Sequence, residues 1–145
     1  MKTKIDFSLY GVQFKNIEVY GFGEGATGQA TGRGISAMAR QYVAAKYGVK
    51  CQVHYDSFSM GNSLSIYVDP RDLYTDYKQI ISEDLKASFC YGSFDAMTDC
   101  YDLKEEGKDI EKMVGFFFKA KYVSFQFGAK YGTKLYEELE AEGLN

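Results

Sequence analysis

The stretch VKCQVHYDSFSMGNSLSIYVD, residues 49–69, decides how this chain is read. Val49, Cys51, Val53 and Tyr55 alternate with Lys50, Gln52, His54 and Asp56, the period of a strand with one dry face. Met60-Gly61-Asn62 supplies a turn, and Leu64, Ile66 and Val68 then resume the alternation. Two such runs joined this closely predict a β-hairpin. A chain that turns straight back does not cross over to a parallel neighbour at that point, so a doubly wound sheet is disfavoured.

Upstream, FKNIEVYGF (14–22) reads as a strand. Ile35, Met38, Ala39, Tyr42, Val43 and Lys46 recur at helical spacing, and Gly48 stands where a left-handed cap belongs, predicting a helix over 33–47. Downstream, Asp69-Pro70 has the form of a helix start, with Leu73, Tyr77, Ile80, Ile81, Asp84 and Leu85 along one face of a helix over 70–87. SFCYGSFDAMTDCYD (88–102) reads as partly extended, and LKEEGKDIEK (103–112) as a charged connector. In MVGFFFKAKYVSFQFG (113–128), Val123, Phe125 and Phe127 share a phase that Phe116 and Phe118 do not, so a break is expected at 119–121. Thr133 caps a short last helix carrying Leu135 and Leu139. The expected class is α+β in one domain, 1–145: a mostly antiparallel sheet, two main helices on one face, and a short C-terminal helix.

The glycine-rich stretch GFGEGATGQATGRG (21–34) tests that reading, because Gly23, Gly25 and Gly28 spell G-x-G-x-x-G. In a dinucleotide-binding turn the helix begins inside the motif, whereas here QATGR intervenes. The nearest downstream acid, Asp56, lies too far on, and its strand turns back. No Gly-Lys-Ser/Thr follows, so a P-loop fails as well. The stretch is expected to be a mobile loop between strand and helix, ordered by a partner. A backbone nest for a phosphate beside Arg33 stays open.

His54 is the only histidine, and the cysteines are Cys51, Cys90 and Cys100. An odd count without a leader-like N-terminus fits a reduced cytosol. Three residues separate Cys51 from His54, which places them on opposite strand faces. A metal site from His54, Cys90, Cys100 and a carboxylate lacks any paired-cysteine spacing. A Cys–His nucleophile pair has no local signature. Asp95, Asp99, Asp102, Glu105 and Glu106 lack the spacing and turn glycine of a calcium loop. YVSF (122–125) echoes the end of an RNA-recognition strand, but FKAK stands where the first half belongs. The expectation is therefore no catalytic residue, no cofactor and no metal.

The formal net charge of −3 is unevenly spread. Residues 1–50 carry seven basic and three acidic side chains, residues 51–113 six and thirteen, and residues 114–145 four of each. An acidic middle disfavours a general nucleic-acid binder and suits docking on a basic partner. No apolar run reaches the length of a membrane span.

Residues 34–101 resemble one of the "large polyvalent protein-associated" domains of phages and conjugative plasmids. The likeness lies in YGVKCQVHYDSFSMGNSLSIYVD, in the helix before it, and in FDAMTDCYD after it. Phe94, Asp95, Met97, Thr98 and Asp99 match the later pattern, with Ala96 in place of its glycine. The resemblance implies a non-enzymatic accessory module of a mobile element and supplies no catalytic residue. The function expected is binding and occlusion of a host protein in the bacterial cytoplasm, for example as an inhibitor of a CRISPR effector. Asp95, Asp99, Asp102, Glu105 and Glu106 are the first contact candidates, followed by the glycine loop. The alternative is a small nucleic-acid-binding module using Lys2, Lys4, Lys15, Arg33, Arg40 and Lys46. Oligomeric state stays open.

Overall fold

A computed structural model describes residues 2–21, 28–59, 61–90 and 116–144. The chain opens with a hairpin of β1 (Lys2–Leu9) and β2 (Val12–Tyr20). Its turn places Tyr10 and Gly11 at positive φ, as a two-residue hairpin turn requires. Register slips between Ile5 and Phe7, where the Asp6 carboxylate accepts the Asn16 amide at 2.8 Å. This irregularity lets Phe14, Ile17 and Val19 all point inward although their spacing breaks strict alternation.

A short strand, β3 (Gly28–Ala30), pairs antiparallel with β2, and α1 (Gly32–Tyr47) follows at once. Part of the stretch expected to be a loop is therefore sheet, while residues 22–27 lie outside the described residues. The Thr31 hydroxyl accepts the Gly34 amide at the start of α1, and Gly48 closes it at φ 71°. Ile35, Met38, Ala39, Tyr42 and Val43 form the buried stripe that their spacing predicts.

The hairpin of the opening stretch is present as β4 (Cys51–Phe58) and β5 (Gly61–Val68). Cys51 faces Val68, Val53 faces Ile66 and Tyr55 faces Leu64, so the alternating apolar residues share one side. The helix start expected at Asp69-Pro70 is not there. Asp69 instead accepts the Arg71 amide at 2.9 Å and the Arg71 guanidinium, tightening a turn. A 3₁₀ turn at Thr75–Tyr77 leads into α2 (Lys78–Phe89). Ile81, Leu85, Ser88 and Phe89 form its buried face, while Tyr77 and Ile80, expected inward, are exposed.

The apolar run near the C-terminus splits into β6 (Phe116–Phe117) and β7 (Tyr122–Phe127), with the expected break between them. Ala120 in that break donates to the Phe89 carbonyl at 2.8 Å. Last comes α3 (Lys134–Ala141), capped by Thr133. The fold is α+β, but its strands divide between two sheets, β1-β2-β3-β6 and β4-β5-β7. Each sheet is antiparallel except for one parallel pair, β3 with β6 and β5 with β7. The first main helix, α1, packs on β4 and also on β2, while α2 packs on β7. The buried core runs from Phe14 and Ile17 through Met38 and Tyr42 to Leu64, Ile66, Leu85 and Phe89.

Candidate functional site

Three large apolar side chains cluster in sequence where β5 leads into α2. Tyr74 is 64% exposed, Tyr77 50% and Ile80 64%. The Tyr74 and Tyr77 rings meet edge to face with centroids 5.7 Å apart. The Asp69 turn accounts for their exposure. Because it delays the helix, Tyr74 sits in extended backbone at φ −65°, ψ 123°, and the first helical turn presents Ile80 to solvent. Arg71 anchors that turn: its Nη2 meets Asp69 Oδ2 and its Nη1 meets Glu142 Oε2, each at 2.7 Å. The Arg71 hydrogen bonds hold the Asp69 carboxyl below its ordinary range. Asp72, Asp76 and Lys78 are exposed in the same segment, so charges of both signs flank the aromatic pair. Sequence periodicity places Tyr77 and Ile80 on the inward face, and nothing in the composition alone marks them as surface.

The five acidic contact candidates, Asp95, Asp99, Asp102, Glu105 and Glu106, lie outside the described residues. Arg33, Arg40 and Lys46 are all exposed on α1 but do not converge. Thirteen residues of helix separate the first from the last, roughly 20 Å of rise. Arg33 and Arg40 share a side, whereas the Lys46 ammonium sits over the Tyr42 ring, 5.7 Å from its centroid. Arg40 borders a shallow cavity of about 280 Å³ with Lys50 and Cys51.

At the glycine motif, Gly28 begins a strand rather than a helix. The helix start behind it already serves a carboxylate: the Thr31 hydroxyl donates to Glu18 Oε1 at 2.6 Å and accepts the Gly34 amide at 3.1 Å. The bond from Thr31, then the charges of Lys2, Arg33 and Lys4, lower the Glu18 carboxyl below its usual range. Gly34 is there because β2 leaves no room for a side chain. A Cβ would overlap the Glu18 carbonyl oxygen.

His54 pairs with Ser65 and Cys51 with Val68, which puts the two on opposite faces of β4. Burial pushes the Cys51 thiol up to about 11. Cys90 is buried and in contact with the Lys121 carbonyl, and Cys100 lies outside the described residues. Among the described residues no three His, Cys, Asp or Glu side chains gather at metal-binding range. Lys119 is 3% exposed, and that burial lowers its ammonium below the ordinary lysine range. Its flanks, FFF and A, were the only hint in the sequence.

Among the described residues a polar cluster forms inside the molecule. The Tyr42 hydroxyl donates to Asp84 at 2.8 Å and the Tyr47 hydroxyl donates to Asp84 Oδ2 at 2.6 Å. Ser88 Oγ donates to the Tyr42 oxygen, and the Tyr10 hydroxyl donates to the Ser88 carbonyl. Tyr42 and Ser88 are fully buried. The cluster joins α1, α2 and the first turn, and it serves to hold them together. Comparison with family models, curated proteins and solved structures finds no match to this chain.

Proposed function

We propose that this chain is a non-enzymatic protein-interaction module of a phage or other mobile element that binds and occludes a host protein in the bacterial cytoplasm. A defence nuclease such as a CRISPR effector is the example class of partner. The observation that carries the reading is the exposed Tyr74–Tyr77 ring pair with exposed Ile80 three residues on. Tyrosines are among the residues that most often anchor interfaces, and the net acidic charge of residues 51–113 favours a basic partner surface. The mobile-element setting comes from the resemblance of residues 34–101. The acids at 95–106 belong to that acidic stretch.

The test is affinity capture from a bacterial host with mass spectrometry, comparing wild type with Tyr74→Ala/Tyr77→Ala/Ile80→Asp. The reading expects one stoichiometric protein that the triple variant loses by more than tenfold, with circular dichroism unchanged. Neutralising Asp95, Asp99, Asp102, Glu105 and Glu106 to their amides should weaken the same capture. Equal capture by all three proteins sinks the proposal.

A second reading, nucleic-acid binding, has one observation of its own. Phe58 and Tyr122 are exposed and stacked at 6.2 Å, with the Lys121 ammonium 5.5 Å from the Tyr122 centroid. Such a pair suits base stacking. A shift assay with single-stranded nucleic acid across a salt series decides it: binding that falls steeply with salt supports this reading, and no binding at low salt removes it.

A further inference from the structure

Beyond β7 the chain folds back over the end of β5. The Lys130 amide donates to Gln52 Oε1 at 2.8 Å, which fixes the segment before α3 beside the outer face of the β4-β5-β7 sheet. A cleft of about 380 Å³ opens there, lined by Tyr67, Tyr131 and Tyr136 together with Gln126 and the 127–129 segment, with Glu140 at its edge. It shares no lining residue with the Tyr74 patch.

Three of the lining residues are tyrosines and the only charged one is a glutamate, while Phe127 borders the cleft with its ring packed against Phe125 on the core face. The Tyr131 and Tyr136 rings stand 5.1 Å apart at 66°, so they form two sides of a corner rather than a stack. Tyr131 is 81% exposed although it is large and aromatic. Glu140 lies one helical turn after Tyr136 on α3, so its charge is held beside the ring corner. The influence of Glu140 is felt at Tyr136, whose hydroxyl is held above its ordinary range by burial and then by that carboxylate.

Aromatic ring faces carry negative potential and attract cations, and a carboxylate adds to that field. A metal ion is a poor fit, because hard cations need several oxygen ligands and the cleft offers one carboxylate. A bare ammonium is strongly hydrated and would have to shed that water against rings. An alkylated ammonium is weakly hydrated, and its positively polarised methyl groups pack on ring faces. The volume lies within the range of small-ligand sites.

We infer that the cleft formed by Tyr67, Tyr131, Tyr136 and Glu140 binds an alkylated ammonium group. The group is carried either by a free small molecule or by a methylated lysine side chain. The site stands independently of the host-protein reading.

The experiment titrates the full chain, followed by NMR or calorimetry, with choline and with its uncharged carbon analogue 3,3-dimethylbutan-1-ol. Choline is expected to bind saturably and the neutral analogue at least about tenfold more weakly, the discrimination that a partly desolvated cation–π site gives. Tyr131→Ala and Glu140→Gln should each weaken choline binding severalfold. Both positions are exposed, so the fold is retained. A trimethyllysine peptide run in parallel assigns the source: tighter binding than choline points to a protein side chain, weaker binding to a free ligand. Equal affinity for choline and the neutral analogue overturns the inference. So does saturable binding that Tyr131→Ala leaves unchanged, or the absence of binding by both cations.

Discussion

At Gly34, a single missing methyl group decides how closely α1 approaches β2. The Glu18 carbonyl occupies the space a Cβ would need, and backbone cannot swing aside as a flexible side chain can. Gly34→Ala is expected to destabilise the protein by about 1–3 kcal/mol or more, read as a drop in the denaturant midpoint. Gly32 faces a softer obstacle, since a Cβ there would meet the Tyr55 ring at 2.7 Å. The two positions lie in the stretch that spells a nucleotide-binding motif, yet their role is close packing. Cys51 illustrates the same scale in chemical terms. Its thiol, held near 11 by burial, carries little thiolate at pH 8. Alkylation mapped by mass spectrometry should therefore be at least about tenfold slower at Cys51 in the folded protein than in denaturant. A rate equal to that of the unfolded chain would show the site to be open.

Between elements, the tie from Tyr42 and Tyr47 to Asp84 joins α1 to α2. A carboxylate receiving two phenol bonds is a charge-assisted arrangement, and Asp84→Ala should cost about 1.5–3 kcal/mol in equilibrium unfolding. The tie also sets a limit at high pH. Burial, then the bond to Asp84 and its charge, raise the Tyr47 hydroxyl well above its ordinary value of 10.0. The unfolded chain then loses that proton first, so the contribution is complete below about pH 10 and fades as pH rises beyond it. Tyr47→Phe should flatten the alkaline fall in stability, and an unchanged alkaline profile would count against the tie. Much at this scale was legible in the sequence. The β4–β5 hairpin, α1 with its Gly48 end, and α3 with its Thr133 cap all follow from local chemistry that nothing distant overrides. β1 was not legible, because the slip at Ile5/Phe7 breaks its alternation and Tyr10-Gly11 is not a common turn pair. The start of α2 is not legible, because Asp69-Pro70 has the form of a helix start while the Asp69 carboxylate is engaged by Arg71 two residues on.

Across the whole molecule, α1 is the element both sheets share, packing on β2 and on β4. Met38 is fully buried near the middle of that helix. Met38→Ala should cost about 2–5 kcal/mol, the usual range for truncating a buried methionine. Hydrogen exchange should show amides of β1–β2 and of β4–β5 losing protection together. Loss confined to one hairpin would mean that the sheets open separately. The division into two sheets was not legible, since the parallel pairs of β3 with β6 and β5 with β7 join segments far apart in the chain. Local pattern carries no information about such partners. The Tyr74 patch was hidden for a related reason: a periodic stripe shows that apolar residues share a helix face, not where the helix begins.

The parallel pair of β5 with β7 has a consequence in time. Val68 finds its neighbour only at Phe127, roughly sixty residues later. At a synthesis rate of about 5–20 residues per second, the inner edge of β5 waits about 3–12 s on the ribosome for its partner. During that interval the nascent hairpin offers open backbone to any other strand, and whether that edge is shielded bears directly on the yield of folded protein.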